Sequence, residues 1–344
     1  MTRELLNTLF ITTNGAFARL DGDTIRVEAH GAKLLQVPLL HLGSIVLFEG
    51  ASLSPPLMHR CAEDGRSVVF LDHGGRFKCR LEGPVSGNVL LRHAQFTAFA
   101  DDGRALEIAR PIVAGKIRNA RQTLMRAARD VRDQGHVGVL RRNADFLADC
   151  MRQLPDAPTL DFLRGVEGQA ASCYFQAFGA MITAQREDFG FTARSRRPPL
   201  DRVNAVLSFV YTLLTSDCTS ALEGVGLDPQ VGYLHALRPG RPALALDLVE
   251  EFRSYVADRL ALTLINRREL TAADFEVRPG GGVLLTAAGR KTVLTALQRR
   301  KMEEVSHPLL QQNTPIGLIP HLQARVLARH LRGDLPTYLP FAPR

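Results

Sequence analysis

Near residue 90 the spacing of apolar residues changes from strand-like to helical, and this switch divides the chain. Before it lie short segments rich in β-branched and aromatic residues, separated by Gly, Asp and Asn: TLFITT, AFARL, TIRVEAH, LLQVPL, SIVLFEG, SVVFLDH and RFKCRLEG. Such runs between turn residues predict strands. DGD at 21–23 and HGG at 73–75 have the composition of hairpin turns. SPPLMHRCAEDG at 54–65 breaks the pattern, with prolines where a short helix begins. From about Asn88 the apolar spacing predicts helices over 89–100, 104–132, 138–153, 159–184, 202–222, 243–268, 287–304 and 317–332. Turn-rich RSRRPP at 194–199 and RPGGG at 278–282 lie between them. The expected class is α+β. A small β-rich, sandwich-like domain over 1–90 precedes a larger all-helical domain over 91–344.

Composition narrows the function classes. Hydrophobic residues make up 45% of the 344, enough for a sizeable core. The net charge is +8, and only five of the 43 basic residues are lysines. Arginine's planar fork suits phosphate, so a polyanionic partner such as nucleic acid is favoured, although an arginine-biased composition has the same look. The five cysteines are widely spaced with no C-x-x-C pair, against a zinc finger or a disulfide framework. No apolar run reads as a bilayer span and the start is a poor signal peptide, so a cytoplasmic protein without membrane contact is expected.

Two segments carry candidate chemistry. In GYLHALRPGRPALALDLVEEFR at 232–253, His235 precedes a Pro/Gly/Arg turn, and Asp247, Glu250 and Glu251 follow it. On one continuous helix the three acids share a face opposite Val249, Phe252, Val256 and Leu260. An ordinary amphipathic helix with a solvated acidic face has the same pattern. Upstream, in TLDFLRGVEGQAASCYFQAFGAMI at 159–182, Glu167 interrupts an apolar stripe of Leu160, Leu163, Ala170, Ala171, Tyr174, Phe178 and Met181. A buried carboxylate needs a partner. An arginine pair, a raised pKa for proton transfer and a metal ion each supply a reason. One imidazole with two or three carboxylates suits Mg²⁺ or Mn²⁺.

Together these segments resemble the CRISPR adaptation integrase family, the metal-dependent DNA endonucleases of spacer acquisition. The resemblance spans nearly the whole chain. It rests on GVEGQAASCYF at 165–175, RRPPLDRVNAVLSFVYTLL at 196–214, EGVGLDPQVGYLHALRPGRPALALDLVEEFR at 223–253, KIRNARQTL at 116–124 and HLGSIVLFEGASLSPPLMHRCAEDGRSVVFLD at 41–72. The ending YLPF at 338–341 looks like the subtype I-C branch. The resemblance implies an N-terminal dimerisation domain and a helical catalytic domain holding one divalent metal. It matches Glu167, His235 and Glu250 to the ligands and Asp247 to a supporting acid, with Glu251 left as a solvated or outer charge. Many relatives have aspartate where Glu250 stands; the longer side chain is expected to adjust coordination rather than abolish it. Asn204 and Tyr211 match residues that line the site.

The implied reaction is transesterification, in which the 3′-hydroxyl of a captured DNA fragment attacks a phosphodiester of the CRISPR repeat. The implied partners are foreign-derived DNA, the repeat, a second copy of the chain and a small companion adaptation protein. Arg196, Arg197, Arg238 and Arg241 flank the site motifs as candidate phosphate contacts. Lys116, Arg118, Arg121, Arg126, Arg129 and Arg132 form a second basic stretch, read as mostly solvated with a few positions extending the DNA path. A non-catalytic nucleic-acid scaffold accounts for the charge equally well, but not for Glu167. A hydrolase of small phosphorylated molecules lacks its phosphate loop, since GGRF at 74–77 has no P-loop lysine pattern.

Overall fold

The computed structural model describes residues 7–72, 77–81, 83 and 89–343. The chain forms two compact units, 1–87 and 88–344.

The first unit contains β1 (Asn7–Ile11), β2 (Phe17–Asp21), β3 (Thr24–Ala29), β4 (Ala32–Pro38), β5 (Leu42–Phe48), β6 (Ser52–Leu53), α1 (Pro55–Glu63), β7 (Ser67–Leu71) and β8 (Phe77–Leu81). Two four-stranded sheets result, ordered β1-β5-β7-β8 and β4-β3-β2-β6. DGD does form the β2–β3 connection: Asp21 faces Thr24, and Gly22 takes the left-handed conformation (φ 58°) that a side chain would resist. HGG lies outside the described residues. Strand alternation buries Ile25, Val27 and Ala29 of β3. These pack with Leu9, Ile11, Ile45, Leu47 and Val68, and with Leu57 and Cys61 of α1, in one core. Ser54 caps α1 by accepting from the Leu57 amide, and Pro55 occupies the first turn, where its missing N–H costs nothing.

The second unit is built from α2 (Val89–Ala100), α3 (Asp102–Asp130), α4 (Gln134–Gln153), α5 (Leu160–Phe178), α6 (Arg202–Gly224), α7 (Ala243–Val249), α8 (Arg259–Asn266), α9 (Ala287–Met302) and α10 (Ile319–Leu331). It is not all-helical. Phe275–Val277 pairs with Val283–Leu285, and Glu304–Ser306 with Asn313–Pro315, because the intervening glycine-rich and polar turns allow short hairpins.

Two helical expectations need correction. The stretch 159–184 is α-helical only to Phe178, then tightens into a 3₁₀ turn over Gly179–Met181. The stretch 243–268 is broken. α7 ends at Val249, a turn carries Glu250 to Phe252, and a π-helical segment over Arg253–Asp258 leads into α8. The acids are therefore no longer on one solvated face: Asp247, Glu250 and Glu251 are all buried.

α6 also departs from expectation. Among the described residues it alone is long and apolar enough by composition to cross a bilayer, yet 61% of its most apolar window is buried within the protein. Val203, Val206, Leu207, Val210, Leu213 and Leu214 belong to the core.

Leu57 has no exposed surface and joins α1 to both sheets' side chains. Leu57→Ala is expected to lower the stability of the first unit by about 2–5 kcal/mol, seen as a lower denaturant midpoint; an unchanged midpoint would contradict this packing.

Candidate active site

Asp247 organises one wall of the site. Its Oδ2 accepts from the Tyr233 and Leu234 amides at 2.6 and 3.0 Å, and its Oδ1 from the His235 amide at 3.0 Å. The same Oδ1 lies 2.7 Å from His235 Nδ1. Gly232 makes this approach possible, since a Cβ there would sit 2.6 Å from the Ala243 carbonyl carbon and 2.8 Å from Asp247 Oδ2. The carboxylate is fully buried, and both its oxygens are engaged by the loop. It holds Nδ1 as the protonated nitrogen and leaves the Nε2 lone pair free, the state a metal-ligating imidazole requires.

Nε2 points toward the end of α7, 3.8 Å from Glu250 Oε1. Glu250 is 3% exposed. Its Oε1 is 3.1 Å from Arg253 Nη2 and its Oε2 2.6 Å from Lys116 Nζ. Burial alone would raise this carboxyl, but the Arg253 guanidinium and the Lys116 ammonium outweigh it and bring it down to about 2. Oε2 is buried yet lacks a well-directed hydrogen bond. Lys116 also pairs with Glu167 Oε1. One ammonium from α3 thus ties a carboxylate of α5 to one at the end of α7.

Glu167 is half-buried rather than buried, and its partner is a lysine rather than an arginine. Among the described residues, no three His, Cys, Asp or Glu side chains already stand as a cation-sized cluster. Two carboxylates nevertheless meet at the ammonium, and the His235 Nε2 stands 3.8 Å from the other oxygen of one of them. The underused Glu250 Oε2 makes this donor set fit a hard divalent cation.

Glu251 faces elsewhere and is not solvated. Fully buried, it accepts from Tyr338 Oη, from Gln323 Nε2 at 3.0 Å and from the Phe341 amide at 2.6 Å. Burial pushes its carboxyl up to about 7 despite these three donors.

Tyr211 borders the site through a further buried acid, Asp258. Its hydroxyl donates to Asp258 Oδ1 at 2.6 Å, and Tyr174 donates to Oδ2 at 2.9 Å. The Arg253 guanidinium lies over the Tyr211 ring, 4.9 Å from its centroid. Tyr211, Asp258, Arg253, Lys116 and Arg196 line one pocket. Asn204 does not line it. Fully buried, it donates to the Ala193 carbonyl at 2.8 Å and accepts from the Ser195 amide at 3.0 Å, and so fixes the loop that leads to Arg196.

Arg196, Arg197 and Arg238 are exposed and Arg241 is half-buried. Burial and the charges of Arg238, Arg196 and Arg197 lower the Arg241 pKa, so these two loops form one cationic cluster. In the other basic stretch Arg118, Arg126, Arg129 and Arg132 are exposed, and Arg121 donates to the Ala144 carbonyl at 3.1 Å. Lys116 turns inward, a role that reading the stretch as a solvated face missed. Its neighbours Ile112, Val113, Ile117 and Ala120 are buried, so it interrupts an apolar stripe as Glu167 does. Arg253 and Asp258 carry no comparable signal in the sequence, because their placement depends on the π-helical segment.

Residues 9–299 match the family model for CRISPR associated protein Cas1. The chain belongs to the Cas1 family. It is 55% identical over 340 residues to the CRISPR-associated endonuclease Cas1 1 of Moorella thermoacetica, which covers 99% of each chain. Its fold resembles a casposase bound to integration product, with a TM-score of 0.81 and 22% identity over 98% of this chain and 93% of that one. It also resembles a chain of a Cas6-RT-Cas1–Cas2 complex, with a TM-score of 0.81 and 23% identity over 99% of this chain and 36% of that one. This Cas1 protein is therefore an enzyme of the CRISPR-associated endonuclease family.

Burial pushes the Asp258 carboxyl from 3.8 up to about 6, although both tyrosines and the nearby arginines favour its anion. A raised acid keeps its proton in the folded state after the unfolded chain has lost it. Its contribution is fully present below the unfolded value and is lost as pH rises through the folded one, by up to about 3 kcal/mol. Asp258→Asn removes that term. Its stability relative to wild type should climb between pH 3.8 and about 6 and then level off, as read by denaturation at a series of pH values. A difference that stays flat over that window would contradict the assignment.

Proposed function

We propose that Glu167, His235 and Glu250 hold a divalent cation, Mg²⁺ or Mn²⁺, at which this integrase inserts captured DNA into the CRISPR array. The observation that carries the reading is the convergence of Glu167 and Glu250, from separate helices, on one ammonium, with the Nε2 of His235 3.8 Å from Glu250 Oε1. The cation, when bound, lowers the pKa of a hydroxyl and neutralises charge on a phosphoryl oxygen. Asp247 keeps the imidazole in one tautomer and orientation. Asp247 is a positioning residue here, because its oxygens are committed to the loop. Arg196, Arg197, Arg238 and Arg241 bind phosphates and orient the fragment so that its 3′-hydroxyl lies in line with the repeat phosphodiester. Arg253 holds Glu250 ionised and adds positive charge where the transition state becomes more negative. One P–O bond forms to the 3′-oxygen as another breaks, releasing a new 3′-hydroxyl. With water in place of the 3′-hydroxyl, the same site acts as a nuclease.

We assign dimerisation to the first unit. Its strand β4 leaves Leu34 and Leu35 49% and 41% exposed, apolar surface that a second copy would cover. A small companion adaptation protein completes the assembly, by analogy with the Cas1–Cas2 complex whose chain shares this fold. The YLPF ending supports placement in the subtype I-C branch, and the absence of thiol pairs supports a cytoplasmic protein. A non-catalytic scaffold gives no reason for burying Glu250 beside a free imidazole nitrogen.

Glu167→Ala, His235→Ala and Glu250→Ala should each abolish Mn²⁺-dependent strand transfer on half-site or branched DNA, with DNA affinity largely retained. Full activity in Glu167→Ala protein would remove the assignment. Arg196→Ala and Arg238→Ala should weaken DNA binding regardless of sequence and reduce the salt slope by about one for each lost phosphate contact. A slope that does not change would place the DNA elsewhere.

A further inference from the structure

We infer that Lys116 is an exchangeable counter-ion of the metal centre: its ammonium fills the cation position between Glu167 and Glu250 in the metal-free protein and yields it when a divalent ion binds. The inference rests on the reading of Glu167, His235 and Glu250 as ligands.

Lys116 Nζ touches both carboxylates, and its side chain is only 16% exposed. Arg253 serves the other oxygen of Glu250, so Oε2 depends on Lys116 alone for its counter-charge among the contacts described. Without that ammonium, a buried carboxylate would be left half-compensated next to a second one, which is strongly unfavourable. A divalent ion bound by the same two carboxylates would lie within about 2–3 Å of the oxygens that Lys116 now contacts, and two cations that close repel strongly. The two occupants therefore exclude each other.

Lysine is suited to such an exchange. Its charge is compact and its four-carbon stem rotates, whereas an arginine fork bound to two carboxylates is held in one plane. The displaced ammonium stays protonated and has somewhere to go. Lys116 lines the same pocket as Arg196, so it swings into the cationic wall where a phosphate would lie. Metal loading would then deliver one more positive charge to the DNA side, and the metal-free protein would keep its two carboxylates neutralised.

The test compares wild type, Lys116→Met and Glu167→Gln by calorimetric Mn²⁺ titration and by thermal melting with and without Mn²⁺. Metal-free Lys116→Met protein is expected to melt below wild type and to be restored by Mn²⁺. Its Mn²⁺ affinity should rise by about tenfold or more, the size expected when a competing partner of a partly buried ion pair is removed. Wild-type Mn²⁺ affinity in Lys116→Met, with affinity lost in Glu167→Gln, overturns the exchange and leaves the ligands standing. Absence of Mn²⁺ binding in wild type overturns the ligand reading and the exchange with it. A second measurement needs no variant at Lys116. The chain has only five lysines, so acylation of each can be followed by mass spectrometry in wild-type protein. Mg²⁺ should accelerate labelling of Lys116 several-fold and leave Lys33, Lys78, Lys291 and Lys301 unchanged; an unchanged Lys116 rate overturns the exchange even if Lys116→Met does not fold.

Discussion

The carboxylate of Asp247 is the point on which the site's geometry depends. Three successive backbone amides and one imidazole nitrogen converge on its two oxygens. A segment rich in Gly, Pro and Arg has little local reason to adopt one conformation. Bound to a buried anion by hydrogen bonds of the charge-assisted kind, it is held in a single one. The same contacts orient His235 and choose its protonated nitrogen. The site also depends on the absence of a side chain at Gly232, because the loop can reach the carboxylate only by lying against Ala243.

A second constraint joins elements distant in sequence. Lys116 on α3, Glu167 on α5 and Glu250 at the end of α7 share one ion-pair system of low exposure. Such a system is a poor source of stability, since desolvation offsets most of the attraction. Its value lies in register: a helix that slid by one turn would leave a charge buried without a partner. The arrangement that aligns the three helices also assembles the candidate ligands.

What was legible in the sequence was local. The DGD hairpin and the Ser54–Pro55 start of α1 follow from the conformational preferences of a few adjacent residues, and the structure has both of them. The break after Val249 has no such signal, because no Gly or Pro lies between 243 and 268. Tertiary demands impose it, through the burial of three acids that periodicity alone places toward solvent. Glu167 stands out in the sequence because it interrupts an apolar stripe. Lys116 interrupts another stripe in the same way, but among so many arginines it read as one more solvated charge. The criterion of a charged residue in an apolar row points to both partners of the pair when applied without regard to sign.

The break after α7 also explains how neighbouring glutamates can do unrelated work. On a continuous helix Glu250 and Glu251 would diverge by about 100° and still share a broad face. With α7 ending at Val249 and a π-helical segment following, Glu250 turns toward Lys116 while Glu251 turns toward α10 and the chain's last residues. There Glu251 accepts from Tyr338, Gln323 and the Phe341 amide, and Asn119 of α3 donates to both the Glu251 and Phe341 carbonyls at 2.8 Å. The YLPF segment thus fastens the peptide that carries Glu250 from behind. Asn119 lies about one helical turn beyond Lys116, so one face of α3 contacts this peptide at two successive positions, by charge at Lys116 and by hydrogen bonds at Asn119. A candidate ligand on a helix-terminating turn would ordinarily be loosely placed. Here the turn is clamped between two positions of one helix, and that clamp gives Glu250 the rigidity its proposed role requires.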